Sequence, residues 1–79
     1  MAVLRMFAAA REAAGTGRVE IDGTTVGEVL RVATDRFGDG FAAVLSTSRV
    51  WVNGDPADED DPVGEGDEVA VLPPVSGGA

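Results

Sequence analysis

The segment Thr24–Gly38, TTVGEVLRVATDRFG, decides how this chain is read. Thr25 followed three residues later by Glu28 fits a capping box, in which each side chain satisfies a backbone N–H left open at a helix start. Val26, Val29, Leu30, Ala33 and Phe37 recur at helical spacing and form one apolar stripe, while Arg31, Asp35 and Arg36 lie away from it. Gly38 can take the left-handed conformation that ends a helix. A helix with a single apolar stripe must bury it against another layer, and the flanking sequence says which.

Upstream, MAVLRMFA is apolar and alternating and reads as a strand over about residues 2 to 8. Alternation puts Leu4 and Met6 on one face and Val3, Arg5 and Phe7 on the other, with Arg5 marking the second face as the wetter one. AAREAAGTG reads as a short helical turn closed by Gly15. RVEID follows as a second strand with Val19 and Ile21 inward and Arg18, Glu20 and Asp22 outward, an antiparallel neighbour of the first. Downstream, FAAVL reads as a short helical turn that packs Phe41, Val44 and Leu45 on the core. SRVWVNGD is a third strand entering an Asn53-Gly54 turn, with Val50 and Val52 on one face and Trp51 on the other beside Arg49. In PADEDDPVGEGDEV, Pro56 and Pro62 flank the acids Asp58 to Asp61, and periodicity leaves open a short pairing strand. EVAVLP is the last strand; Val69 and Val71 share one face, Ala70 and Leu72 the other, and Pro73 cannot continue a ladder.

Two strands, a long amphipathic helix and two or more further strands imply an α+β fold, a mixed sheet with one main helix on one face. The architecture expected is the ubiquitin-like β-grasp over residues 1–74, followed by a flexible C-terminal tail, 75–79.

Composition narrows the chemistry. With 79 residues there is room for one small domain, which buries only about 60% of its unfolded surface and needs a compact core. The absence of Cys and His removes thiol nucleophiles, an imidazole base, disulfides and the usual transition-metal ligands. Lys is absent too, which removes Schiff-base chemistry and any side-chain amine to which another protein could be joined. Arg5, Arg11, Arg18, Arg31, Arg36 and Arg49 stand against 14 Asp plus Glu, for a formal net charge of −8. Nucleic acid and anionic membranes would repel such a chain, whereas a basic docking face would attract it. No leader or membrane-length apolar run is present, so a soluble cytoplasmic protein is expected.

The acids at 58–61 lack the spacing of a calcium loop, and consecutive carboxylates cannot all face one ion, so a solvated loop and no metal site are expected. GDGF and GEGDE are turns, since neither joins a strand to a helix with a phosphate-binding Lys. Phe7, Trp51 and Leu72 fall on the face away from the helix, where an apolar patch marks a partner surface. For Phe7 and Leu72 docking is the expectation; for Trp51 a covering terminal loop is the alternative.

The string GDEVAVLPPVSGG, residues 66–78, resembles the C-terminus of the MoaD/ThiS family of ubiquitin-like sulfur carriers, particularly the small subunit of molybdopterin synthase. LRMFAAAREAAG, the helix cap near Thr25 and VWVNG lie where that family has its first strand, helix and third strand, so the resemblance spans nearly the whole chain. It implies that an ATP-using adenylating enzyme of the MoeB type activates the terminal glycine carboxylate. Sulfur transfer then gives a thiocarboxylate, and the tail enters a large subunit of the MoaE type, where sulfur passes to precursor Z. The chain would bind no cofactor and perform no catalysis alone. By the family pattern Gly78 carries the reactive carboxyl and Gly77 is its channel neighbour. Phe7, Pro56, Leu72, Pro73, Pro74, Val75 and Ser76 are the partner-contacting positions. Glycines let enclosing backbone approach closely, and five residues beyond Pro74 reach on the order of 17 Å when extended. Ala79 departs from the pattern, because it denies Gly78 a free carboxyl. A protease removes it first, or it is an addition to the natural chain, or Ala79 itself is activated; removal is favoured. Carriers serving thiamine or cysteine synthesis, and a ubiquitin-like modifier or interaction module, are the alternatives.

Overall fold

The structure is a computed structural model that describes residues 1–74. Its elements in chain order are β1 (Ala2–Met6), α1 (Ala8–Ala14), β2 (Arg18–Ile21), α2 (Val26–Phe37), α3 (Asp39–Leu45), β3 (Arg49–Val52), β4 (Asp55–Pro56) and β5 (Glu68–Leu72). The strands make one sheet in the order β2-β1-β5-β3-β4, antiparallel at each junction except the central parallel β1–β5 pair. This mixed sheet, with its main helix on one face, is the β-grasp architecture expected from the element order.

Alternation along the strands decides what is inside. Leu4 and Met6 of β1, Ile21 of β2, and Val69 and Val71 of β5 are no more than 2% exposed. The stripe Val26, Val29, Leu30 and Ala33 of α2 is buried with them, and Phe37 packs half-buried at its end. Each large apolar side chain so withdrawn contributes on the order of 1.5–3 kcal/mol. Phe41 of α3 is fully buried, its ring tilted against Phe37 at 5.4 Å between centroids. Ala10, also fully buried, lets α1 come close to α3 because it has nothing beyond Cβ.

The start of α2 accounts for the acidic loop. Thr25 Oγ1 accepts from the Glu28 N–H at 3.2 Å, the first half of a capping box. The return half is displaced by one residue: Glu28 Oε1 accepts from the N–H and hydroxyl of Thr24, at 2.8 and 3.1 Å, and not from Thr25. The remaining N–H groups of the first turn are taken by loop carbonyls. Val26 donates to Asp61 at 3.0 Å and Gly27 to Glu59 at 2.9 Å. A Cβ on Gly27 would stand 3.3 Å from both Cβ and the carbonyl oxygen of Glu59, so glycine permits this approach. The run Asp58–Asp61 is therefore more than a solvated loop: its acid side chains are largely exposed, but its backbone plugs the positive end of a helix dipole.

Other boundaries differ for local reasons. β1 ends at Met6, before the expected limit, because the chain turns at Ala8, which adopts φ 50. Gly38 takes φ 93 and ψ −170, a region open to glycine but not the left-handed helical one, and α3 begins at once. Asn53 and Gly54 both have positive φ, 50 and 88, as a two-residue type I′ hairpin requires. That turn leads into the two-residue β4, the short pairing strand that periodicity left open. Among the described residues no helix is long and apolar enough to cross a membrane.

Candidate functional site

The face of the sheet opposite the helices is organised in rows that follow from the pairing register. Val3 is flanked by Glu20 and Glu68. The next row runs Arg18, Arg5, Ala70, Trp51, Pro56. At the end toward which β5 runs, Leu72 is paired with Arg49, and Phe7 lies alongside with its N–H on the Val71 carbonyl at 3.3 Å. Phe7 is 39% exposed and Pro56 is exposed; Leu72 and Trp51 are half-buried, Trp51 between its cross-strand partners Pro56 and Ala70. The Arg5 guanidinium stands 5.7 Å from the Phe7 ring centroid and 3.5 Å from Glu68, tying the apolar end of the face to its acidic end.

Of the residues expected to meet a partner, Phe7, Leu72 and Pro73 are thus brought together at one end of the sheet, while Pro56 lies apart from them at the β4 edge, in the row of Trp51 and Ala70. Pro73 is half-buried and Pro74 exposed, and both follow β5 at the end occupied by Phe7 and Arg49. Val75, Ser76, Gly77, Gly78 and Ala79 lie outside the described residues. The sequence puts Arg18 on the outer side of β2, but its position directly opposite Arg5 appears only with the register.

Among the described residues no polar or charged residue is buried. Two carboxyls are shifted, both downward. Glu28 is held below its ordinary range by the Thr24 N–H and then its hydroxyl, Asp67 by the Gly64 N–H and then the Asn53 amide. Both serve structure: Asp67 and Asn53 brace the β3–β4 hairpin against β5, where Asn53 Oδ1 accepts from the Glu68 N–H at 3.0 Å. Among the described residues no group of carboxylates is placed to hold a metal ion. A groove of about 730 Å³ lies on the helix side, between α2, α3 and the β4 arm, with Leu30, Leu45 and Val50 among its walls and Glu59 at its edge. Its lining adds the carboxylates of Glu28 and Asp60 and the hydroxyls of Thr34, Ser46 and Ser48.

The arrangement is an open face, part apolar and part charged, that ends where the chain leaves the sheet. The class it defines is a ubiquitin-like β-grasp protein. The family model for ThiS matches residues 4–78, and the chain belongs to that family of ubiquitin-like sulfur carriers. It is similar to the crystal structure of SAMP1 from Haloferax volcanii, with 32% identity, 98% of each chain covered and a TM-score of 0.77. It is similar to the small archaeal modifier protein 1 of Methanosarcina acetivorans, with 27% identity over 98% of this chain and 95% of that one and a TM-score of 0.87. A Pyrococcus furiosus protein provisionally assigned as molybdopterin converting factor subunit 1 is 26% identical, with 94% of this chain and 97% of that one covered and a TM-score of 0.82. No curated protein sequence matches the chain significantly.

Proposed function

We propose that this chain is the sulfur-carrying small subunit of a molybdopterin synthase. The observation that carries the reading is the placement of the tail exit: β5 ends at Leu72 on the open face, and Pro73 and Pro74 take the chain off beside Phe7. A partner seated on that face receives the terminus at the same time. An adenylating enzyme of the MoeB type uses ATP to join the Gly78 carboxyl to AMP with release of pyrophosphate. A sulfur nucleophile then displaces AMP and leaves a thiocarboxylate. This sequence is chemically required because a carboxylate is a poor electrophile until it has a leaving group. The tail then enters a large subunit of the MoaE type and gives its sulfur to precursor Z. Catalytic groups belong to those partners, since this chain has no Cys, His or Lys to supply them. Ala79 is removed before activation, which frees the Gly78 carboxyl.

The likeness to SAMP1 at 32% identity favours a second reading, in which the same activated carboxyl is joined to a lysine of a target protein. The two separate in a reconstitution with the adenylating enzyme, ATP, a sulfur donor and the large subunit. A chain ending at Gly78 is expected to support dithiolene formation, and one lacking Gly77 and Gly78 to support none while melting at the same temperature. Lysine-linked adducts without dithiolene product would favour the modifier. Equal product from both chains would overturn the role given to the glycines.

A further inference from the structure

The formal charge of −8 points to a basic partner, and attraction of that kind speeds encounter at a distance. The open face does not follow the sign of the whole. Arg5, Arg18 and Arg49 all stand on it, half of the arginines in the chain. Arg5 and Arg18 are directly opposed across β1 and β2. The Met6 N–H bonds the Gly17 carbonyl at 3.0 Å, which makes Arg5–Arg18 a non-hydrogen-bonded pair, the kind with the closer side chains. Like charges in that position destabilise a sheet unless something counters them. Arg5 has Glu68 at 3.5 Å, but among the described residues no carboxylate lies within 4.0 Å of Arg18 or Arg49.

The acids of the face sit toward the opposite end. Glu20 and Glu68 flank Val3, Arg18 and Arg5 form the next row, and Leu72 with Arg49 the last. At about 3.3 Å per residue, alternate rows are roughly 7 Å apart, so the face turns from acidic to cationic within ~13 Å. The change runs in the direction in which β5 carries the chain to Pro73. An apolar patch alone would accept a partner rotated by half a turn about the sheet normal. Charge of opposite sign at the two ends does not, because the rotated pose sets like charges against each other.

We propose that the partner presents carboxylates to Arg18 and Arg49 beside the opening that receives the tail, and basic groups to Glu20 and Glu68 farther away. The polarity of the face then fixes the sense in which the terminus is delivered. The inference rests on the carrier reading, in which an adenylating enzyme must seat this face before it activates the tail.

Net charge and local polarity predict opposite signs, which gives the test. R18E/R49E and R31E/R36E make the chain more negative by the same amount, but the second pair lies on α2, away from the open face. The readout is ATP–pyrophosphate exchange by the adenylating enzyme of the same organism, measured against carrier concentration at low and high salt. R18E/R49E is expected to raise KM about tenfold or more at low salt with kcat little changed, an effect that shrinks at high salt. R31E/R36E is expected to leave KM unchanged or lower it. R18Q/R49Q, which adds no acid, is expected to fall between wild type and R18E/R49E, and it carries the test if the charge reversals fail to fold. Equal KM in both reversed pairs, or a lower KM for R18E/R49E, overturns the polarity. Every chain in the assay ends at Gly78, and an otherwise wild-type chain so prepared that supports no exchange at all overturns the carrier reading instead.

Discussion

The two faces of the sheet are built from alternate residues of the same strands, yet one is closed and the other stays wet. Leu4, Met6, Val69 and Val71 are no more than 2% exposed, while their neighbours Val3, Arg5, Ala70 and Leu72 keep contact with solvent. A one-residue slip of either strand would exchange the two sets, so the burial of the first set holds the second in register. The comparison teaches that core residues and solvent-facing residues are written on opposite parities of one strand, so substitutions that act on stability and on the proposed docking should separate accordingly.

The largest expected effect is on the closed side. Phe41→Ala removes a fully buried ring and its contact with Phe37, at a cost of about 3–5 kcal/mol, a large share of the stability of so small a domain. Thermal or urea unfolding is expected to show a melt tens of degrees lower or no folded state. A change within a few degrees would mean that α3 is not part of the core. Next comes the open side: if the proposed partner seats there, Phe7→Arg is expected to weaken its affinity by about tenfold or more while the melting temperature holds, because Phe7 is an exposed apolar side chain outside the core. If this variant unfolds, Phe7 belongs to the closed side and the division between the faces fails.

The smallest effect tests the cap at the start of α2, where Thr24 donates to Glu28. The Glu28 carboxyl is held below its ordinary value of 4.5 by the N–H and then the hydroxyl of Thr24. A carboxyl depressed in the folded state stabilises above its unfolded value and loses that contribution as pH falls through the folded one. Wild type is therefore expected to melt slightly above Glu28→Gln at neutral pH, with the gap closing as pH drops below 4.5. A gap that stays constant well into acid would show that the charge of Glu28 contributes nothing.

The closed face was the legible one. Leu4 and Met6 flank the charged Arg5, and Val26, Val29, Leu30 and Ala33 keep helical spacing, so period places them. β4 was not legible, because Asp55 and Pro56 are too few to display a period and carry no strand preference. The plug at the start of α2 was hidden for a different reason: the Asp61 and Glu59 groups that make it are backbone carbonyls, which every residue has. One signal was available, a glycine at residue 27 in a helical first turn, where a close neighbour is the usual reason for forgoing a side chain. The cation row of Arg5 and Arg18 needed the register of β1 on β2, which the long connection through α1 does not fix. The tail was read from its resemblance to the sulfur carriers and lies outside the described residues; what the fold adds is the course of the chain through Pro73 and Pro74 after β5.

The most direct test of the central claim is the intact mass of the chain ending at Gly78 after incubation with the adenylating enzyme, ATP and a sulfur donor. The account predicts a gain of about 16 Da, one carboxyl oxygen exchanged for sulfur, and none when ATP is left out. An unchanged mass under conditions in which the adenylating enzyme thiocarboxylates a known carrier would contradict it.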